Sequence, residues 1–214
     1  MISFFEYRYF RSRADTCALP GLKLGVSICI SAAASGCGGT GGNEPVVVAP
    51  VTNYATFSEI QVDSTILTDA FVDSNGTPIL PRSLESELPT TGAATFSGFV
   101  VASTEGEGLI GQVSIAASFS GATLDGTAWN FIHESNGEYT GTLAGTGIIR
   151  SDATGDVPQI SITLEGDLAN NGSTFPTMMA FEGYFLGSDL VAIGGNADGF
   201  VGDHFATGIF AAEQ

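Results

Sequence analysis

From Ala93 onward the chain alternates, and that alternation limits the folds open to it more than any other feature. In Gln159-Ile160-Ser161-Ile162-Thr163-Leu164-Glu165 the three aliphatic residues fall on every second position. Successive side chains of an extended strand point to opposite faces, so Ile160, Ile162 and Leu164 share one face and the polar residues the other. The same reading puts Leu109, Val113, Ile115 and Phe119 on one side and Gln112, Ser114 and Ser118 on the other. Period two with one polar face is the pattern of an antiparallel sheet with one side in water. Eight such segments occur, roughly Ala93–Ser103, Leu109–Phe119, Ala122–Ile132, Glu138–Ile149, Val157–Asp167, Phe175–Leu186, Leu190–Gly195 and His204–Ala212. Ser135-Asn136-Gly137, Asn170-Asn171-Gly172 and Ala197-Asp198-Gly199 carry the Asn-Gly and Asp-Gly pairs that accept positive φ, and are read as hairpin turns. Consecutive hairpins make a meander, and eight strands suffice to close one. The expected fold is all-β: an eight-stranded antiparallel up-and-down barrel over residues 92–214.

Three Gly–aromatic elements, Phe96-Ser97-Gly98-Phe99, Phe181-Glu182-Gly183-Tyr184-Phe185 and Gly208-Ile209-Phe210, fit that architecture. A glycine lets a strand coil tightly, and a neighbouring aromatic ring occupies the space it leaves. Residues 51–91 are irregular. Ile60, Val62 and Ile66-Leu67 suggest a short strand or helix, and Asp73-Ser74-Asn75-Gly76, Pro78, Pro81 and Pro89 then turn it into a loop. Aligned on Gly76, a calcium loop would begin at Phe71 and end at Arg82, neither a ligand, so the Asp73–Gly76 stretch is a turn. A transmembrane barrel is the competing architecture. It needs aromatic girdles, whereas the barrel segment holds Trp129, Tyr139 and Tyr184 alone of their kinds. We expect a water-soluble barrel with an apolar interior.

The N-terminus reads as a targeting segment over residues 1–36. Arg8, Arg11, Arg13 and Lys23 precede an apolar stretch, Leu24 to Ala34, that is too short to cross ~30 Å of hydrocarbon but suits a signal core. Ala34-Ser35-Gly36-Cys37 follows and resembles a bacterial lipobox, in which the Cys is acylated after cleavage before it. Gly38-Gly39-Thr40-Gly41-Gly42-Asn43 opens a flexible tether over residues 37–50. The alternative is an ordinary secretory signal cleaved after a small residue, leaving Cys37 a free thiol. In the lipoprotein reading Cys17 and Cys29 leave with the signal, and no thiol remains for a disulfide.

Charge narrows the partners. Of the 23 acidic residues only Glu6 and Asp15 precede Cys37, so 21 stand beyond it against Arg82 and Arg150. Such a surface repels phosphate backbones, which argues against nucleic acid. It suits a salty medium or a cationic partner. The inventory also argues against an enzyme: no lysine after Lys23, no free thiol, and no Gly-x-Ser-x-Gly, His-Glu-x-x-His or phosphate-loop motif. A carboxylate pair for glycoside hydrolysis stays open in principle. His133 and His204 are the two imidazoles. His133 follows Trp129 and Phe131 at period two and could share their face, and His204 opens the last strand beside Asp203. They are either exposed turn residues or ligands for haem iron at a barrel mouth; without a third ligand they make no metal signature. Phe200 and Val201, near the last turn, are the exposed apolar candidates for contact with a partner.

Ala94-Thr95-Phe96-Ser97-Gly98-Phe99, with the ending Gly183-Tyr184-Phe185-Leu186-Gly187, Ile193-Gly194-Gly195 and Gly208-Ile209-Phe210-Ala211-Ala212, resembles the barrel domain of transferrin-binding protein B and its small single-barrel relatives. The resemblance runs from Thr91 to the C-terminus in rhythm more than identity. Ser188-Asp189-Leu190 stands where the family has Pro and acidic positions. The resemblance implies a lipid-anchored surface binding module, non-enzymatic, for a protein ligand or a haem or iron source, delivered by surface-export machinery. The alternative is a structural or adhesion lipoprotein of the envelope without a ligand cavity.

Gly38 is not the Asp that holds lipoproteins at the inner membrane, so the outer membrane is the expected location. Each buried CH₂ of an acyl chain contributes ~0.8 kcal/mol, and two or more chains anchor stably. Cys37→Ala should therefore move the protein from the detergent-extractable membrane fraction into the soluble one; retention of the variant in the membrane would sink the lipoprotein reading.

Overall fold

The computed structural model describes residues 53–151 and 157–214. The signal, the tether and Cys37 lie outside the described residues. A helix, α1 (Phe57–Phe71), and a single 3-10 turn (Glu85–Glu87) precede eight strands: β1 (Ala93–Thr104), β2 (Glu107–Ser118), β3 (Thr123–His133), β4 (Gly137–Ser151), β5 (Pro158–Asn170), β6 (Ser173–Leu186), β7 (Ala192–Val201) and β8 (His204–Glu213). Each strand pairs antiparallel with the next, and β8 returns to β1 from Ser97↔Glu213 to Thr104↔Ala206, closing an up-and-down barrel. The eight-stranded architecture read from the alternation is the one observed.

Inward positions form one continuous core in which Phe96, Phe131, Phe181, Phe185 and Phe210 are fully buried. An eight-stranded barrel is just wide enough for side chains to fill, and these rings fill it. Phe181 meets Phe210 edge-on at 5.3 Å between centroids, and the Phe131 ring lies where a side chain on Gly111 would otherwise sit. The outer wall of β3–β7 exposes Asp125, Glu165, Asp167, Glu182 and Asp198. Carboxylates in that band mark a water-facing surface, since a lipid-facing wall would be apolar there. Among the described residues no helix is long and apolar enough to cross a membrane.

Four departures from the sequence reading have physical causes. First, β7 does not end at Gly195; it runs on to Val201, so Ala197-Asp198-Gly199 is mid-strand and not a turn. Gly199 is required there because a Cβ would collide with the Met178 carbonyl of β6. Close approach of two backbones and a tight turn both select glycine. Second, Trp129 does not share a face with Phe131 and His133. Asn130 takes positive φ (49°) and the register slips on both sides of it, a β-bulge that reverses the parity of β3. Trp129 pairs with outward Gln112 and Thr142, whereas Phe131 and His133 turn inward. Third, the polar face of β2 is not wet: Gln112 and Ser114 are buried. Fourth, Val201 is buried, not exposed, because it falls on the inward parity of the longer β7.

The segment before β1 supplies the cover. Thr56 and Glu59 form a reciprocal cap at the start of α1. Ile60, Ser64 and Thr68, one turn apart, form its buried stripe. Ile60 packs with Phe99, Ile110 and Ile132 on the outer wall, with Tyr54, Phe57, Leu67 and Val101 around them. The bulged Asn130 holds the approach to the helix: its Oδ1 accepts the Tyr54 N–H at 2.9 Å and its Nδ2 donates to the Tyr54 carbonyl at 3.1 Å. Tyr54 also donates its phenol to Asp63 at 2.7 Å. Asp73 to Gly76 is a turn, as expected, with Asp73 Oδ1 accepting the N–H groups of Asn75 and Thr77. Those bonds hold the Asp73 carboxyl below its usual range. Beyond the turn, Ser83 straps the barrel end away from the four short hairpins by donating to the carbonyls of Phe185 and Gly187. Leu88, Phe119 and Leu190 pack against the core there. Leu190 has positive φ (54°), a conformation costing ~1–2 kcal/mol that burial of its side chain offsets.

Two tests follow from this packing. Ile162 is inward and buried while Thr163 is exposed. Ile162→Ala should destabilise by ~2–5 kcal/mol in urea melts, and Thr163→Ala should change little; equal small effects would contradict the register. The second concerns the helix clasp. Burial, then the bond and charge of Asp63, push the Tyr54 phenol up from 10.0 to about 12. A raised folded-state value means the neutral phenol stabilises the fold fully below about pH 10, and that contribution disappears as pH rises through about 12. Stability measured from pH 9 to 12 should fall more steeply in the native chain than in Tyr54→Phe; identical profiles would discard the Tyr54–Asp63 bond as a contributor.

Candidate functional site

The four short hairpins, β1–β2, β3–β4, β5–β6 and β7–β8, gather at one end of the barrel. Asn171 (φ 50°) and Gly172 (φ 79°) form the expected two-residue turn, and Glu105 (φ 53°) with Gly106 (φ 87°) forms another that its composition did not announce. Between the hairpins lies a cup of about 230 Å³. Thr104, Leu109, His133, Tyr139, Phe175 and Val201 line it, with Glu105, Asn136, Asn170, Asn171, Ser173 and His204 around them.

Both histidines singled out in the sequence therefore border one cavity. The bulge at Asn130 turns His133 inward, where it is 5% exposed. Its Nδ1 accepts the N–H groups of Ser135 and Asn136, each at 3.3 Å. Two donors on Nδ1 put the ring proton of the neutral imidazole on Nε2. Glu107 Oε2, 3.6 Å from Nδ1, bonds instead to the Ser135 hydroxyl. His204 is half exposed and its Nδ1 lies 3.0 Å from Glu105 Oε1. Asn170 ties two hairpins together by donating to the carbonyls of Asn136 (3.0 Å) and Glu138 (2.7 Å). Tyr139 stands between His133 and Phe175, with ring centroids 6.1 and 5.4 Å away.

One group in the cup lacks a partner. Thr104 Oγ1 is buried and makes no hydrogen bond. Such a hydroxyl costs ~1–3 kcal/mol against a paired one. Sequence reasoning missed it, although a signal was there: Thr104 is the polar end of an inward series that runs Phe96, Gly98, Val100, Ala102. The cup thus combines one unpartnered hydroxyl, that of Thr104, with the hydroxyls of Tyr139 and Ser173, a buried imidazole and several amides within aromatic walls. Its volume lies below the ~300–1,000 Å³ of pockets that enclose a drug-sized molecule, so it fits a very small ligand or one inserted side chain. Among the described residues no three His, Cys, Asp or Glu are grouped to hold a metal.

Phe200 is exposed, as expected, but stands on the outer wall beside this end and not at a hairpin tip. It pairs with Phe205 of β8, edge-on at 5.4 Å, and with Met178 of β6, so three exposed apolar side chains form a row. The structure does not bring Phe200 together with the histidines inside the cup.

Comparison with protein-family models and with curated proteins finds no match. Among solved structures, the chain is similar to a single and a double mutant of the vaccine antigen transferrin binding protein B from Haemophilus parasuis. Identity is 13% and 15%, the TM-score is 0.40 for each, and 62% of this chain is covered. The chain matches 28% and 27% of those proteins' lengths, so it spans under a third of either.

Proposed function

We propose that this chain is a non-enzymatic binding module, lipid-anchored at the outer-membrane surface, that takes its ligand at the hairpin end of the barrel. The unpartnered Thr104 hydroxyl in the cup carries the reading. A buried polar group without a partner is costly in the free protein and is satisfied when a ligand group arrives. The partner that fits best is a protein: the cup admits one polar side chain, and the Met178–Phe200–Phe205 row supplies an apolar seat next to it. Large apolar side chains are the usual anchors of protein interfaces. Export to the surface would require dedicated machinery, a second partner. The His133 and His204 rings on one cavity favour haem as a second reading, with the macrocycle lying across the mouth because the cup is too small to enclose it. A purely structural envelope protein would have no use for the orphaned hydroxyl.

The test uses the detergent-solubilised chain. Thr104→Val, which removes the hydroxyl while keeping the shape, should raise the stability of the free protein by ~1 kcal/mol or leave it unchanged. It should also weaken cross-linking to whatever protein the native chain captures from its own growth medium. Added haem should give a Soret shift that His133→Ala and His204→Ala diminish if the second reading holds. Capture unaffected by Thr104→Val, together with no Soret shift, would leave the structural role standing.

A further inference from the structure

A second cavity lies on the outer wall, separate from the barrel mouth. It occupies about 510 Å³ between α1 and strands β1, β2 and β8, within the ~300–1,000 Å³ range of small-molecule pockets. Ile66, Leu67 and Phe99 give it an apolar side. Gln112, 2% exposed, lines it from β2, and Gln112 Oε1 has no hydrogen-bond partner. Asp63 and Glu213, both exposed, stand on its border. Among the described residues the nearest approaches of a cation to any carboxylate are those of Arg150 to Glu182 and of the two histidines, all elsewhere.

The lining also holds donors, the hydroxyls of Thr95 and Ser97 and the Gln112 and Gln214 amide nitrogens, but its charge is negative only and its one unpartnered atom, Gln112 Oε1, is an acceptor. The two carboxylates are anionic acceptors. Asp63 already takes the Tyr54 phenol, but an ionised carboxylate has lone pairs for further donors. An anion would meet repulsion from both carboxylates, and a neutral hydrocarbon would leave Gln112 Oε1 unsatisfied, a desolvation cost without return. A ligand that combines an ammonium group with an apolar body matches the negative charge, the unpartnered acceptor and the apolar side together. Its N–H donates to Gln112 Oε1, its charge is balanced by Asp63 and Glu213, and its body lies against Ile66, Leu67 and Phe99.

We propose that the groove between α1 and the barrel wall is a binding site for small amphiphilic amines, with Gln112 as the buried acceptor and Asp63 as the counter-charge. The proposal is independent of the mouth and of any partner bound there.

The chain carries its own reporter, since its one tryptophan, Trp129, is the cross-strand partner of Gln112. The experiment titrates the full chain in detergent with 2-phenylethylamine and follows Trp129 emission, with calorimetry in parallel. The control is 3-phenylpropionate, of similar size and opposite charge. A saturable signal is expected with the amine and none with the acid at equal concentration. Gln112→Leu should weaken amine binding about ten-fold or more, because a hydrogen bond to a charged group is lost. Asp63→Asn keeps an acceptor for Tyr54 and guards against a folding defect in the first variant; it should weaken the amine several-fold, more so at low salt. Binding of amine and acid with equal strength would overturn the proposal, as would the absence of a heat and an emission change with the amine. Amine binding unchanged in both variants would overturn it as well.

Discussion

The bulge at Asn130 is the constraint on which the functional parts of this barrel depend. Without it β3 would keep one parity from Leu124 to its end, and Trp129, Phe131 and His133 would all face outward. One residue in the left-handed region reverses that. Phe131 then enters the core over Gly111, and His133 reaches the mouth. The same residue uses its amide to hold Tyr54 from both sides, so the turn that re-aims the strand also fixes where α1 begins. Asparagine suits the position because its short polar side chain tolerates positive φ and can hydrogen-bond locally. A residue with a β-branch would meet the steric cost without the clasp.

From that clasp follows an asymmetry around the barrel. The wall over β3–β7 is exposed and carries Asp125, Glu165, Asp167, Glu182 and Asp198, with the apolar row of Met178 and Phe200 at its edge. The wall over β1, β2 and β8 is covered by α1, and the cover is incomplete: Ile60 and Phe99 pack closely, but a groove stays open beside Gln112. Small side chains at Ser64 and Thr68 let the helix approach, and the Thr68 hydroxyl is satisfied by the Ser64 carbonyl at 2.8 Å. The helix therefore costs nothing in buried hydroxyls on its own side. The orphaned groups belong to the strands beneath.

Much of the barrel was legible in the sequence because its two main signals are local. Alternation marks inward residues in each strand separately, and Asn-Gly marks turns such as Asn171-Gly172. What stayed hidden required knowledge of neighbours. Gly199 signals a turn when read alone and a close approach of backbones when Met178 is beside it. Gln112 looks solvent-facing until a helix from some forty residues earlier lies beside it. The parity of β3 is lost at a bulge that no dipeptide announces. His133 and His204 border one mouth, and His133 reaches it sharing a face with Phe131 and not with Trp129, which the strict period-two reading of β3 does not foresee. Thr104 could have been found: a hydroxyl at the end of an inward apolar series is an irregularity visible without a structure.

The placement of unpaired polar atoms then separates construction from use. Among the described residues the buried side-chain atoms without partners are Thr104 Oγ1, Gln112 Oε1 and Ser114 Oγ. Thr104 borders the mouth, Gln112 borders the groove, and Ser114 sits two residues along the same outward face of β2. Valine or leucine at these positions would complete the apolar surface and raise stability by ~1–3 kcal/mol per group, a gain readily reached by single substitutions. The core around them is apolar, of phenylalanine, isoleucine, leucine, valine, alanine, Met179 and Tyr139. The interior is otherwise closely packed, and two of the three unmatched groups, Thr104 and Gln112, border concave surfaces.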